Sequence, residues 1–521
     1  MRAPAWISRM LPAVFGQRRP PGRARRQFDA AQQTRLLHSW RMATQSINRE
    51  LRGDLDALRR RARDLAKNEP LAKKYLSMVV TNVVGPAGFT LQVRVADGAK
   101  PDTLANNAIE AGWREWCKPG ICEVSGRLSF TDLARAIMRA IARDGESLVR
   151  ILPGEGPYGI ALQLLDIERL DTTFNQLPDT THAHVIMGVE IDDVGRAVAY
   201  YLFDPRYGED PQMRKRERVP ADNLRHLFVV HAPEQVRGIP WMHASMVRIH
   251  HLKGYEEAAI IASRIGASKM GFFTNIDGVG NNADQLKGMA DGEDAAGLPF
   301  TEADPGQFGM LPEGVDFKPF NPDYPHAQYD MFTKAAKRDI GSGLNAEYNS
   351  LANDLEGVNF SSIRSGTIEE RDSWMQDQNW FIGIFLDDIY DRWLRAALLA
   401  GMLTMPNGSA LPAAKFQKFR AHEFLGRRWQ WVDPLKDMNA NVVAIDNGLA
   451  SPYQIAAQQG ADAEDVLDDI ARFQAAAKAK GVTLHPGGRP ANASDAGESV
   501  TPADGSADTA PAGKPAAKKK P

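Results

Sequence analysis

The chain has 521 residues, far more than one simple core needs, and its length corresponds to about three to four domain-sized units. Its 43% hydrophobic and 25% charged content is that of an ordinary folded protein, and a formal net charge of −2 excludes nucleic-acid binding driven by overall positive charge. Two cysteines, Cys117 and Cys122, exclude a disulfide framework, and no run of about eighteen apolar residues is available to cross a membrane.

Residues 1–29 are arginine-rich, with Pro20, Pro21 and Gly22 as breakers, and read as a basic flexible arm without a secretory signal. A long helical stretch is predicted over 30–81, broken near Gly53 and again at 68–70. Arg59, Arg60, Arg61 and Arg63 fall within it and read as a solvated face rather than an anion site. The stretch stops at Gly85-Pro86. A half-buried strand is predicted over 89–95, a helix over 104–116, and an amphipathic helix over 130–143 with Ser129 or Thr131 as its cap. Strands follow at 146–152, 161–166, 185–191, 198–203 and 226–231, with a hairpin turn at Gly195. The first half is therefore α+β with a mostly antiparallel sheet.

A long helix is expected over 242–269, then a small Gly-, Asn- and Pro-rich module with strand candidates at 271–274 and 308–311. A second helix is expected over 325–340. A polar break follows at 341–359, then a long helix to 399 with one kink. Residues 411–434 are short and mixed. Residues 439–474 read as helical with a break at 448–452, and 486–521 as a disordered tail.

Little in the chain carries catalytic chemistry. There is no phosphate-loop motif and no nucleophile elbow. Cys117 and Cys122 have no matching second pair and read as ordinary thiols, not a zinc site. His182 and His184 would share one face of a strand but lack a third ligand, and adjacent His250 and His251 face different directions on a helix. Asp387 and Asp391 share a helix face, which leaves a metal-dependent nuclease or other DNA-processing enzyme as the alternative function. No catalytic residue, cofactor or metal site is assigned.

Several stretches resemble conserved blocks of tailed-bacteriophage portal proteins of the lambda-like family: RARDLAKNEPLAKKY (61–75), VTNVVGPAGF (80–89), RDGESLVR (143–150), QLLDIERLD (163–171), QVRGIPW (235–241) and NAEYNSLANDLEGVNFSSIR (345–364). The resemblance covers about residues 30–435. It implies a portal fold with an α/β wing (30–240), long stem helices (241–270 and 325–342) around a small α/β clip (271–324), and a tunnel loop (343–359). A long helix returning to the wing (360–433) and a helical crown (434–485) complete it. It implies no enzyme. It implies a homo-oligomeric ring, usually of twelve, at one capsid vertex of the virion, assembled in the host cytoplasm and passing double-stranded DNA during packaging and ejection. Implied partners are the terminase large subunit, head–tail connector proteins, and major capsid and scaffold proteins, with no membrane.

By that resemblance, Lys334, Lys337, Arg338, Asn345, Glu347, Tyr348, Asn349 and Asn353 should line or approach the channel. The break holds Glu347, Asp354 and Glu356 but no Lys or Arg before Arg364, a composition that slides along a duplex rather than gripping it. The three cations on the preceding helix could steady DNA or form ion pairs between subunits. The tryptophan-rich helices from Trp374 to Trp393 are candidate subunit faces.

Overall fold

The computed structural model describes residues 45–482 except 99, 179–182, 205–214, 268–270, 276–291, 294–298, 301–314, 320–327, 357–359, 430–433 and 460–462. The expected basic arm, the C-terminal tail, the strand at 308–311 and His182 lie outside the described residues.

Helix α1 (Ile47–Asn68) presents Leu51, Leu55, Ala62 and Leu65 on one buried face. It runs straight through Gly53, where a break was expected. Gly53 is exposed with nothing within 4 Å, and the buried leucines on either side hold the turn against the roughly 1 kcal/mol cost of an internal glycine. Pro70 starts α2 (Pro70–Val79), which continues into one π-helical turn, Val80–Val84. Gly85 ends it at φ 81°, where a Cβ would sit 2.9 Å from that of Arg427.

Strands β1 (Thr90–Val93), β2 (Ala96–Asp97) and β3 (Lys100–Pro101) lead to α3 (Thr103–Trp116), capped by Asp102. In α4 (Phe130–Asp144), Ser129 is the cap, its Oγ accepting the Asp132 amide at 3.1 Å. Strands β4 (Glu146–Pro153), β5 (Ile160–Leu165), β6 (His184–Ile186), β7 (Val189–Ile191), β8 (Ala197–Phe203), β9 (Arg216–Pro220) and β10 (Leu224–Phe228) then form two sheets, ordered β10-β4-β5 and β6-β7-β8-β9, with every neighbour antiparallel.

The single strand expected over 185–191 is two strands. Met187 and Gly188 both have positive φ, 47° and 81°, and make a two-residue hairpin turn that an Ile-Met-Gly sequence does not advertise. Strand β9 was unexpected because its Arg-Glu-Arg sequence lacks apolar alternation. Cross-strand and neighbouring ion pairs hold it instead: Arg216 to Asp171 at 2.6 Å and Arg218 to Glu190 at 2.7 Å.

Helix α5 (Met246–Ala267) leads to short strands β11 (Gly271–Asn275), β12 (Gly292–Glu293), β13 (Pro299–Phe300) and β14 (Val315–Pro319), paired β11–β14 and β12–β13. Then come α6 (Tyr329–Leu344), α7 (Tyr348–Ala352) and α8 (Phe360–Phe381). A π-helical turn, Ile382–Leu386, joins α8 to α9 (Asp387–Leu399) within the stretch where one kink was expected. Short α10 (Phe416–Phe419) precedes β15 (His422–Leu425), and α11 (Pro434–Asp446), α12 (Pro452–Gln458) and α13 (Ala463–Ala479) end the described chain. The break expected at 448–452 is present, closed by a Ser451–Gln454 capping box, and a further break follows Gln458.

Two features close this long chain on itself. Strand β15 pairs with β1, in register from Thr90↔Leu425 to Val93↔His422. Beside that ribbon, Trp113 and Trp116 of α3 and Phe130 of α4 meet Phe385, Tyr390 and Trp393, with Trp113 and Trp393 edge to face at 5.0 Å. Trp374 and Trp393, expected on subunit faces, are 3% and 0% exposed in the single chain. Their rings are spent on the chain's own core.

A second node is ionic. Glu146, Arg237 and His226 are fully buried at the edge of β4 and β10. Glu146 accepts from Arg237 Nη2 at 2.9 Å, from His226 Nε2 at 2.5 Å and from the Gly238 amide at 2.9 Å, and Arg59 Nη2 also reaches it. Gly238 permits this approach, since a Cβ there would lie 2.1 Å from the Gly145 carbonyl. Burial drives the His226 imidazole well below its ordinary range and the Arg237 guanidinium down to about 9. Nearby, Arg63 binds Asp144, Asp166 and Glu168. The expected solvated arginine face of α1 therefore splits: Arg60 and Arg61 are exposed, while Arg59 and Arg63 enter ion pairs from stretches far along the chain.

Candidate functional site

The expected break at 341–359 is mostly ordered structure. Helix α6 continues past Ile340 because Gly341 and Leu344 are buried, and Gly343 packs on the start of α5, where its Cβ would meet Ser245 Oγ at 2.3 Å. Ser245 Oγ donates to the Ile340 carbonyl at 3.1 Å, fixing the junction of α5 and α6. Tyr255 of α5 stacks on Tyr329 of α6 at 5.7 Å, so the two long helices run together.

Asn345 ends α6 in the left-handed conformation (φ 52°), and its side-chain amide donates to Ser373 Oγ at 2.7 Å. Glu347 then caps α7: its carboxylate accepts the Ser350 amide at 2.9 Å and Asn349 Nδ2 at 2.6 Å. Asn353 ends α7, again left-handed (φ 54°), and its Oδ1 accepts from Lys74 Nζ at 3.0 Å. Tyr348 Oη donates to Asp354 at 2.6 Å, and that bond holds the Asp354 carboxyl below its usual range. Burial pushes the Tyr348 phenol up to about 12.

The three cations of α6 are engaged within the chain. Lys334 lies 3.0 Å from both Asp330 and Glu356, and those bonds raise its ammonium above the usual lysine range. Lys337 pairs with Glu256 of α5 at 3.2 Å, and Arg338 covers the Tyr348 ring at 5.1 Å. All eight candidate residues thus belong to one continuous stretch of α6, α7 and their caps. The paired Asn residues after helices were a readable signal. Ser245, Glu256 and Lys74 were not, because each reaches the segment from distant sequence.

The carboxylates of α9 are occupied. Asp388 binds Arg225 at 2.7 Å and Arg392 at 2.9 Å, Asp391 binds Arg420 Nε at 2.9 Å, and Asp387 faces His422 Nε2 at 3.2 Å. A pair of carboxylates separately paired with an arginine and a histidine is not arranged for a shared metal ion, so nothing supports the nuclease alternative. Among the described residues, no cluster of three or more metal-ligating side chains occurs, and no helix is long and apolar enough to cross a membrane.

The model of the phage portal proteins of the lambda family matches residues 33–378, and the chain belongs to that family of non-enzymatic capsid components. The probable portal protein of Halomonas phage phiHAP-1 is 36% identical over 464 residues, covering 86% of this chain and 87% of that protein. Portal protein B of Escherichia phage lambda is 21% identical, covering 86% and 88%, and the portal protein of Escherichia phage N15 is 22% identical, covering 88% and 91%. Among solved structures, a chain in the neck of a native gene transfer agent particle, computed with C12 symmetry, aligns over 78% of this chain and 93% of its own length, at 13% identity and a TM-score of 0.43.

Proposed function

We propose that twelve copies of this portal protein close a ring at one vertex of the virion and that double-stranded DNA passes along its axis during packaging and ejection. Residues 30–240 form the wing, 241–270 and 325–342 the stem, 271–324 the clip, 343–359 the tunnel loop and 434–485 the crown. The clip takes the terminase large subunit and later the head–tail connector proteins, while major capsid and scaffold proteins surround the ring during assembly in the host cytoplasm.

The observation that carries the conduit reading is electrostatic. The segment from 345 to 356 holds three carboxylates and no Lys or Arg, and Lys334 and Lys337 beside it are neutralised within the chain. A stretch that itself carries no cation releases few counterions from DNA and so holds it weakly. Self-association is supported by Ile260 and Ile261 of α5 and Met331 and Phe332 of α6, which are 54–73% exposed on neighbouring long helices. Packed neighbours would cover such apolar groups. The test is a charge reversal: Glu356→Lys adds a cation and removes one of the carboxylates that hold Lys334, so assembled particles should bind DNA with a steeper salt dependence and package it more slowly. Unchanged salt dependence and packaging would remove this segment from the DNA path.

A further inference from the structure

A cavity of about 440 Å³ lies between α2, α7, α8 and the stretch after β15. Three of its lining side chains, Lys74, Arg371 and Arg427, are cationic, against the one carboxylate of Glu370. Lys74 and Arg427 bond neutral oxygens: Asn353 Oδ1 for the first, the Thr81 carbonyl and Asn82 Oδ1 for the second. Arg371 and Arg427 lie 5.9 and 5.6 Å from the centroid of the same ring, Trp429. Burial and the Arg371 charge both lower the Arg427 guanidinium.

Two donors in this wall are also buried without any hydrogen-bond partner: Arg371 Nε and Trp374 Nε1. Trp374 is 3% exposed, so water does not readily serve it. Buried donors are rarely left unpaired in native proteins. Two of them on one helix, beside two guanidiniums and a lysine that have only the Glu370 carboxylate against them, leave a place for an acceptor that is multivalent and negative.

We propose that this cavity is a binding site for one phosphate-type oxyanion, accepting from Arg371 Nε and Trp374 Nε1 and balanced by Arg427 and Lys74. The oxyanion could be free phosphate or a phosphate of a DNA backbone. Its occupancy would brace α7 against α8, because Asn349, Ser350 and Asn353 line the same space.

The experiment is calorimetric titration of the full-length protein with sodium phosphate, against sodium chloride at equal ionic strength. Saturable binding is expected with phosphate alone. Arg371→Gln should weaken it at least about tenfold, and Trp374→Phe, which keeps a packed ring and removes the N–H, by about threefold or more. Thermal unfolding of each variant without phosphate separates lost binding from lost folding, and Trp374→Phe carries the test should Arg371→Gln fail to fold. No saturable heat, or unaltered affinity in the folded variants, overturns the site. With the site present, a short duplex that competes with phosphate assigns the oxyanion to a DNA backbone, and a duplex that does not compete assigns it to the free ion.

Discussion

Glu146 is surrounded by two guanidiniums, an imidazole and a backbone amide in a place closed to water. Removing one partner of such a node leaves a buried charge unpaired, at a cost of about 3–5 kcal/mol. Glu146→Gln and Arg237→Met should each show this loss in denaturant unfolding. The double variant should lose less than the sum of the two, since it removes opposite charges together. Asp377 makes the complementary case. Burial raises its carboxyl to about 7, so the native state keeps a proton that the unfolded chain releases near its ordinary 3.8. Stability should therefore fall as pH rises from about 4 to about 7 and then level off. Asp377→Asn should flatten that slope and stabilise the protein at pH 8, and an unchanged pH profile would show Asp377 to be ionised throughout. Neither group was legible in the sequence. A charge on a helix looks solvated until the fold brings a distant partner, as Glu146 is brought to Arg59.

At the scale of elements, legibility followed the range of the interactions that decide each one. Helix α4 was readable because its Ser129 cap, its apolar spacing and the left-handed Gly145 that stops it are all local. Strand β9 was not, because ion pairs to residues distant in sequence, Asp171 and Glu190, hold it. The junction of α5 and α6 was missed for the same reason. Gly343 looked like part of a polar break, and only the structure shows Ser245 against it. Gly343→Ala should destabilise the protein, by about 1–3 kcal/mol as for overpacking elsewhere, because the Ser245 hydroxyl must give up its bond to the Ile340 carbonyl. Adding Ser245→Ala should recover part of that loss by removing the colliding oxygen. Additive effects in unfolding measurements would show that the two residues do not touch.

Across the whole molecule, β1 and β15 are joined although more than three hundred residues lie between Val93 and His422, and the aromatic cluster around Trp393 seals that closure. Truncating Trp393 to Ala should cost about 3–5 kcal/mol, read by thermal unfolding. Turned inward, these aromatics pack in the chain's own core, while Ile260 and Ile261 of α5 and Met331 and Phe332 of α6 are exposed. The family was legible from ordered sequence blocks. The reason two of those blocks hold their residues became visible only in the structure, where Asp144 to Glu146 and Arg237 to Gly238 meet in one buried node. The most direct test of the assembled ring is the native mass of the purified protein, read together with end-on images. Twelve subunits of 57.4 kDa give a closed particle of about 690 kDa with an axial hole, the result expected here. A stable monomer under all conditions would contradict it.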